Sequence, residues 1–248
     1  MLPLRHLERT VEKSVGTALV ITTDNRLIDH LFRAFKEIDV AVVRTGLVRD
    51  SLELIHGRKF EAFVVDTALD NAHLDLLSDV RSSSSNHTAV VVAIAPSGLI
   101  CEKARKAGAN FVLEQPLTYD TIHRTLGAAY GMIVREYRRY FRAPLKTAVT
   151  VWSSVTGEIR GETVDLSEEG MAIRIPYCLG VGTELLIRFK LSDQNKDLVA
   201  RANIIHTSEG GISGLHFVEI SSLAKGQLHE WLSHRLEEKI PSLAKHSA

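Results

Sequence analysis

The sequence predicts two folds in series, an α/β doubly wound domain followed by an antiparallel β-barrel with a C-terminal helix, and three observations predict it. Up to about residue 135, short apolar runs alternate with helical patterns, the sequence form of a parallel sheet flanked by helices. Beyond Thr147 that alternation gives way to short β-rich segments at regular spacing, separated by turn residues, as in a small barrel. Between the two, Ala143-Pro144 interrupts a long helical pattern, because proline lacks a backbone donor and disfavours helix in the residue before it.

Taken in order, the first run, Ala18-Leu19-Val20-Ile21, is continuously apolar, as a strand covered on both faces must be. An amphipathic stretch over 26–38 follows it. Further strands are expected at 40–44, 60–66, 89–95 and 110–113, and further helices at 47–57, 71–81, 97–107 and 118–135. These five strands and five helices make a domain over 15–131. The last helix carries Ile122, Leu126, Ala129, Tyr130, Ile133 and Val134 at helical spacing and runs nearly into Arg138, so 132–144 is read as a helical linker. The third part, 145–240, has expected strands at 148–152, 158–165, 171–175, 184–190, 198–206 and 213–218. A helix over 221–238 ends it, and its stripe of Leu223, Leu228, Trp231, Leu232 and Leu236 is expected to pack on the barrel, with homodimerisation as the alternative use. Ser82 to Ser85 reads as a flexible surface loop.

At 248 residues the chain can hold two domains of ordinary size, each with its own core. Its 45% hydrophobic and 24% charged residues fit a globular protein, and no apolar run approaches a membrane span, so membrane insertion is not expected. The stretch from Met1 to Arg9 is too charged for a secretory signal, which makes the cytoplasm the expected location. Cys101 and Cys178 lie far apart without metal-ligand spacing, so neither a disulfide nor zinc is expected. Thirty basic residues balance thirty acidic ones, leaving no overall footprint for nucleic acid. The eleven histidines are scattered, and no phosphate-binding loop, nucleophile elbow or triad occurs; binding without catalysis, cofactor or metal is therefore expected.

The basic charge is concentrated in Arg138-Arg139-Tyr140-Phe141-Arg142. Arginines at i and i+4 present two guanidinium forks, each able to grip a phosphate or the O6/N7 edge of guanine bidentately. The interleaved Tyr137, Tyr140 and Phe141 suit stacking on bases. Downstream, Asp165-Leu166-Ser167-Glu168-Glu169-Gly170 supplies the complement: a carboxylate for guanine N1-H and N2-H, a hydroxyl, and a glycine that permits close backbone approach. Each segment alone is ordinary, a charged helix end or a polar turn; the two in order are not.

This pair of motifs resembles the PilZ family, whose members bind the bacterial second messenger cyclic di-GMP on a small β-barrel. The resemblance covers about 135–232 and includes Arg160-Gly161-Glu162-Thr163-Val164 before the turn and Gly214-Leu215-His216-Phe217 as a closing strand. It implies a cyclic di-GMP site at Arg138, Arg139, Arg142, Asp165, Ser167 and Gly170. The first domain, over about 17–131, resembles the flavodoxin-like receiver domain of response regulators, with Asp66 at the phospho-acceptor position. It departs from that family in Thr23-Asp24, with one acid where a pair is usual, in Ala93 where a hydroxyl is usual, and in Gln115 where a lysine is usual. Thr67-Ala68-Leu69-Asp70-Asn71 also lacks the usual Met-Pro and Asp-Gly features. Charges that would hold a metal and stabilise a phosphoryl group are thereby missing, and the domain reads as a pseudo-receiver.

The expected function is that of a cyclic di-GMP receptor in which nucleotide bound at the interdomain hinge changes domain orientation and the surface offered to an unidentified protein partner. The alternatives are a ligand-independent interaction module and a response regulator phosphorylated on Asp66.

Overall fold

The computed structural model describes residues 14–68, 71–154, 156–192, 196–208 and 210–240; Met1 to Arg9, Leu69 and Asp70, used in the readings above, lie outside them. The chain divides into two compact units between Tyr137 and Arg138.

In the first unit, β1 (Thr17–Ile21), β2 (Ala41–Thr45), β3 (Ala62–Asp66), β4 (Val90–Ala95) and β5 (Phe111–Glu114) form a parallel sheet in the order β2-β1-β3-β4-β5. That order defines a flavodoxin-like, receiver-like sheet with its switch point between β1 and β3. The helices are α1 (Asn25–Glu37), α2 (Val48–Gly57), α3 (Asn71–Ser82), α4 (Gly98–Lys106) and α5 (Tyr119–Tyr140). Successive strand residues point to opposite faces, and each face buries its own cluster. Ala18, Val20, Val64 and Val92 pack with Leu31, Ile122 and Leu126, while Leu19, Ile21, Phe63 and Val91 pack with Ile55, Leu76 and Val80. A sheet covered twice explains why its strands read as unbroken apolar runs.

Three local features refine the sequence reading. Helix α5 extends past residue 135 to Tyr140, since nothing before Ala143-Pro144 breaks it. Glu136 near its end is buried and accepts from Thr88 Oγ1 at 2.6 Å and from Lys59 Nζ, which also donates to Ser85 O at 2.9 Å. The serine loop is pinned, contrary to expectation: Ser83 is buried and donates to Ile55 O at 3.1 Å, and Asn86 bridges Ile55 O, Arg58 O and Phe60 N. A run of serines looks flexible until its hydroxyls find buried carbonyls.

The second unit contains β6 (Ala143–Pro144), β7 (Ala148–Ser153), β8 (Gly157–Leu166), β9 (Gly170–Arg174), β10 (Glu184–Lys190), β11 (Asp197–Thr207), β12 (Ile212–Ile220) and α6 (Ser222–Lys239). Antiparallel pairing runs β8-β7-β10-β11-β12-β9, and β9 returns to β8, closing a six-stranded barrel with β6 as an extra edge on β8. Strict alternation fills it: Leu185, Ile187 and Phe189 point inward from β10, and Leu198, Ala200, Ala202 and Ile204 from β11. Each large aliphatic or aromatic side chain so buried contributes about 1.5–3 kcal/mol of transfer free energy.

Ser221 caps α6, its hydroxyl accepting from Ala224 N at 3.2 Å. The buried face of α6 consists of Ala224, Leu228, Trp231, Leu232 and Leu236. Leu223, expected in that stripe, is 74% exposed instead. Five residues before Leu228, it lies about 140° around the helix and off the packed face.

Candidate functional site

The site in the second unit is built by two antiparallel pairings onto β8, from β9 and from β6. Asp165 lies one residue from the end of β8, and the turn to β9 is closed by Ser167, whose N and Oγ both donate to Gly170 O, at 2.8 and 2.9 Å. Ser167 is only 4% exposed, so its hydroxyl holds the turn. Phe217 N donates to Glu169 O at 2.8 Å, fixing the turn on β12.

Gly170 is required for a reason other than backbone freedom. It is absent from the positive-φ glycines, but a Cβ there would lie 2.0 Å from Leu215 O, so only glycine lets β9 pair with β12 at this point. The close approach is thus made by the protein's own backbone.

The two-residue strand β6 brings the arginine segment to this turn. Ala143 pairs with Leu166 and Pro144 with Asp165, and proline is tolerated because β6 is an edge. Arg142, immediately before β6, therefore meets Asp165, with Nε and Nη2 each 2.8 Å from Oδ1. The two side chains are 45% and 29% exposed, so the pair is solvent-screened. Arg139 Nε lies 3.4 Å from Glu169 Oε1. Arg138 is half-buried, and its Nε is buried with no hydrogen-bond partner among the described residues. Two exposed guanidiniums held only by solvent-screened carboxylates suit an incoming anion such as a phosphate.

The aromatic residues divide. Phe141 is buried, with Lys239 Nζ 5.8 Å from its ring centroid, so it anchors the chain and is not a stacking platform. Tyr140 is exposed. Tyr137 is half-buried in the first unit, and burial first, then the Glu61 carboxylate, pushes its hydroxyl above the usual tyrosine range.

Two acidic side chains missed by the motif reading border the turn. Glu169 takes Arg139, and Glu168 Oε1 lies 2.9 Å from His229 Nδ1 on α6, beside a cavity of about 210 Å3 lined by Glu168, Lys225, Gly226, Leu228 and His229. Both glutamates occupy positions that the Asp-x-Ser-x-x-Gly spacing leaves open, so only their charge could have pointed to them.

The carboxylate of the first unit is set differently. Asp66 ends β3 and is 2% exposed; its Oδ2 accepts from Thr22 Oγ1 at 2.8 Å and its Oδ1 from Ala68 N at 3.1 Å. Asp24 caps α1, accepting from Arg26 N at 2.8 Å and Leu27 N at 3.2 Å. Ala93 is not the strand-end position expected: it lies within β4 opposite Val65, and the strand continues to Ala95, which also lacks a hydroxyl. Gln115 precedes Pro116 through a cis bond. The donor set does not fit a divalent cation, because hard cations need several anionic or carbonyl oxygens and Asp66 is engaged by neutral donors. Among the described residues no group of three His, Cys, Asp or Glu side chains could hold a metal ion. Cys101 and Cys178 are free, and no described helix is long and apolar enough to cross a membrane.

With this geometry in place, residues 136–234 match the model of the PilZ domain family, and the chain carries a PilZ domain there. The N-terminal half has receiver domains among its structural neighbours. A response regulator from Thermotoga maritima is similar at 14% identity over 46% of this chain and 97% of that one, with a TM-score of 0.42. The receiver domain of a sensor histidine kinase from Pseudomonas aeruginosa is similar at 15% identity over 47% and 98%, with a TM-score of 0.40. An inhibitor of motility from Bacillus subtilis is similar at 17% identity over 41% of this chain and 52% of its own length, with a TM-score of 0.36. A search of curated proteins gives no significant match.

Proposed function

We propose that the PilZ domain of this chain binds cyclic di-GMP through Arg138, Arg139, Arg142 and Asp165, on a turn shaped by Ser167 and Gly170. The carrying observation is the 2.8 Å contact between Arg142 and Asp165, by which the arginine segment meets the barrel turn. It supports a site in which guanidinium forks take the phosphates bidentately while Asp165, released from Arg142, accepts from the Watson–Crick edge of guanine. Ser167 and Gly170 act by holding the turn and need not touch the nucleotide.

Binding is the chemistry, without a catalytic step. We take 15–131 as the pseudo-receiver, 132–144 as the linker with the arginine motif and 145–240 as the barrel, acting in the cytoplasm. Nucleotide held by the linker and the barrel turn would favour one orientation of the domains through its differential affinity, and so alter recognition by a protein partner. A second reading, a ligand-independent interaction module, is favoured by the carboxylate partners that Arg139 and Arg142 already have. Calorimetric titration of the full chain with cyclic di-GMP, with GTP alongside, separates the two. Saturable heat with the cyclic dinucleotide that is lost in Arg138→Ala/Arg142→Ala supports the receptor; no heat from folded wild-type protein favours the interaction module.

A further inference from the structure

We propose that Glu169 is a built-in competitor for the nucleotide, masking Arg139 in the free protein and setting the affinity of the site. The inference rests on the receptor reading above. Of the three guanidiniums of the segment, Arg139 pairs with Glu169 and Arg142 with Asp165 in the second unit, while the Nε of Arg138 has no hydrogen-bond partner among the described residues. The two phosphodiesters of a cyclic dinucleotide need more free positive charge than this arrangement leaves, so at least one carboxylate must give up its arginine.

The two carboxylates are not equivalent. Asp165 is the more enclosed, is held by two nitrogens of Arg142 and has an acceptor role once released. Glu169 is 56% exposed and meets Arg139 through one contact at 3.4 Å. Its backbone cannot retreat, because Phe217 N holds Glu169 O and Gly170 is wedged against Leu215 O. The Glu169 carboxylate therefore stays within reach of Arg139 whenever the turn is formed. It returns to Arg139 when ligand leaves and must be displaced when ligand binds.

The test compares cyclic di-GMP titrations of wild type, Glu169→Gln and Glu169→Asp at low and high salt. Glu169→Gln removes the competing charge; Glu169→Asp keeps the charge on the turn but shortens its reach to Arg139. Displacing an exposed pair corresponds to about a two- to five-fold change in affinity. The expected result is tightening of that size in both variants, shrinking as salt screens the pair. Unchanged affinity in Glu169→Gln would overturn the proposal. So would tightening in Glu169→Gln alone, which would mean general repulsion rather than a specific pair. If neither wild type nor Glu169→Gln binds while both melt as folded proteins, the receptor reading itself fails.

Discussion

Asp66 and Asp165 both lie at the ends of strands, and their surroundings assign them opposite properties. Asp66 is 2% exposed and satisfied by a threonine hydroxyl and a backbone amide, neutral groups fixed in place by the sheet. Asp165 is 29% exposed and paired with a guanidinium on a side chain that is itself 45% exposed. Removing a partner from the first leaves a buried acceptor unmet, whereas water can replace the partner of the second at little cost. A carboxylate is available to a ligand when its present partner is exchangeable, a condition that the screened pair of Asp165 meets and the buried contacts of Asp66 do not.

The comparison breaks most severely at Gly170. A methyl group 2.0 Å from Leu215 O cannot be accommodated without moving β9 from β12. Gly170→Ala should destabilise the barrel by about 3 kcal/mol or more. Both tryptophans, Trp152 and Trp231, belong to the second unit, so tryptophan fluorescence during urea unfolding reads that loss alone. An unchanged midpoint would show that the strands can part there. Arg138→Ala/Arg142→Ala should weaken cyclic di-GMP by about 100-fold or more while lowering stability by less than about 1 kcal/mol, as screened charges allow. Calorimetry and melting together check that separation.

Asp66→Ala should show the opposite pattern. It leaves Thr22 Oγ1 and Ala68 N without an acceptor, a loss of about 1–3 kcal/mol in the first unit, and leaves cyclic di-GMP affinity as it was. Circular dichroism followed through unfolding, beside the titration, tests both halves of that statement. The smallest effect concerns Glu61, a buried carboxylate that accepts from Thr17 N at 2.6 Å. Burial, the largest influence, raises its pKa above the ordinary 4.5 despite that hydrogen bond and nearby Lys59. The native state then holds the proton more tightly than the unfolded chain, so this contribution is complete below the unfolded pKa. It is lost as pH rises through the raised native value. Glu61→Gln should flatten that decline, so that its stability rises relative to wild type as pH increases; parallel pH–stability curves would contradict the assignment.

Where the sequence speaks through periodicity, it is legible to within a residue or two. The buried runs of β1, β3 and β4, the alternation of β10 and β11, and the helix after Ser221 were all visible because burial imposes a period. Strand β6 was not, since two residues, one of them proline, carry no period; yet β6 is what sets Arg142 against Asp165. The end of β4 at residue 95 was legible too, yet the hydroxyl position was read at Ala93, which lies inside the strand opposite Val65. Leu223 and Phe141 went astray because an apolar residue near a helix terminus can face either way, and only the packed neighbours decide. The motif residues of the candidate site were legible as types, but the division of labour among them was not. That Ser167 spends its hydroxyl closing the turn rests on the local Gly170 carbonyl, while the close approach at Gly170 and the engagement of Arg139 by Glu169 depend on partners far away in the sequence.

The most direct test is an amide NMR titration of the full chain, first with cyclic di-GMP and then, on a fresh sample, with magnesium and a small phosphodonor. The prediction is saturable shifts concentrated on Arg138 to Arg142 and Asp165 to Gly170 with the nucleotide, and no change around Thr22, Asp66 and Ala68 with the phosphodonor. Shifts around Asp66 with the phosphodonor, and none at the barrel turn with the nucleotide, would contradict it.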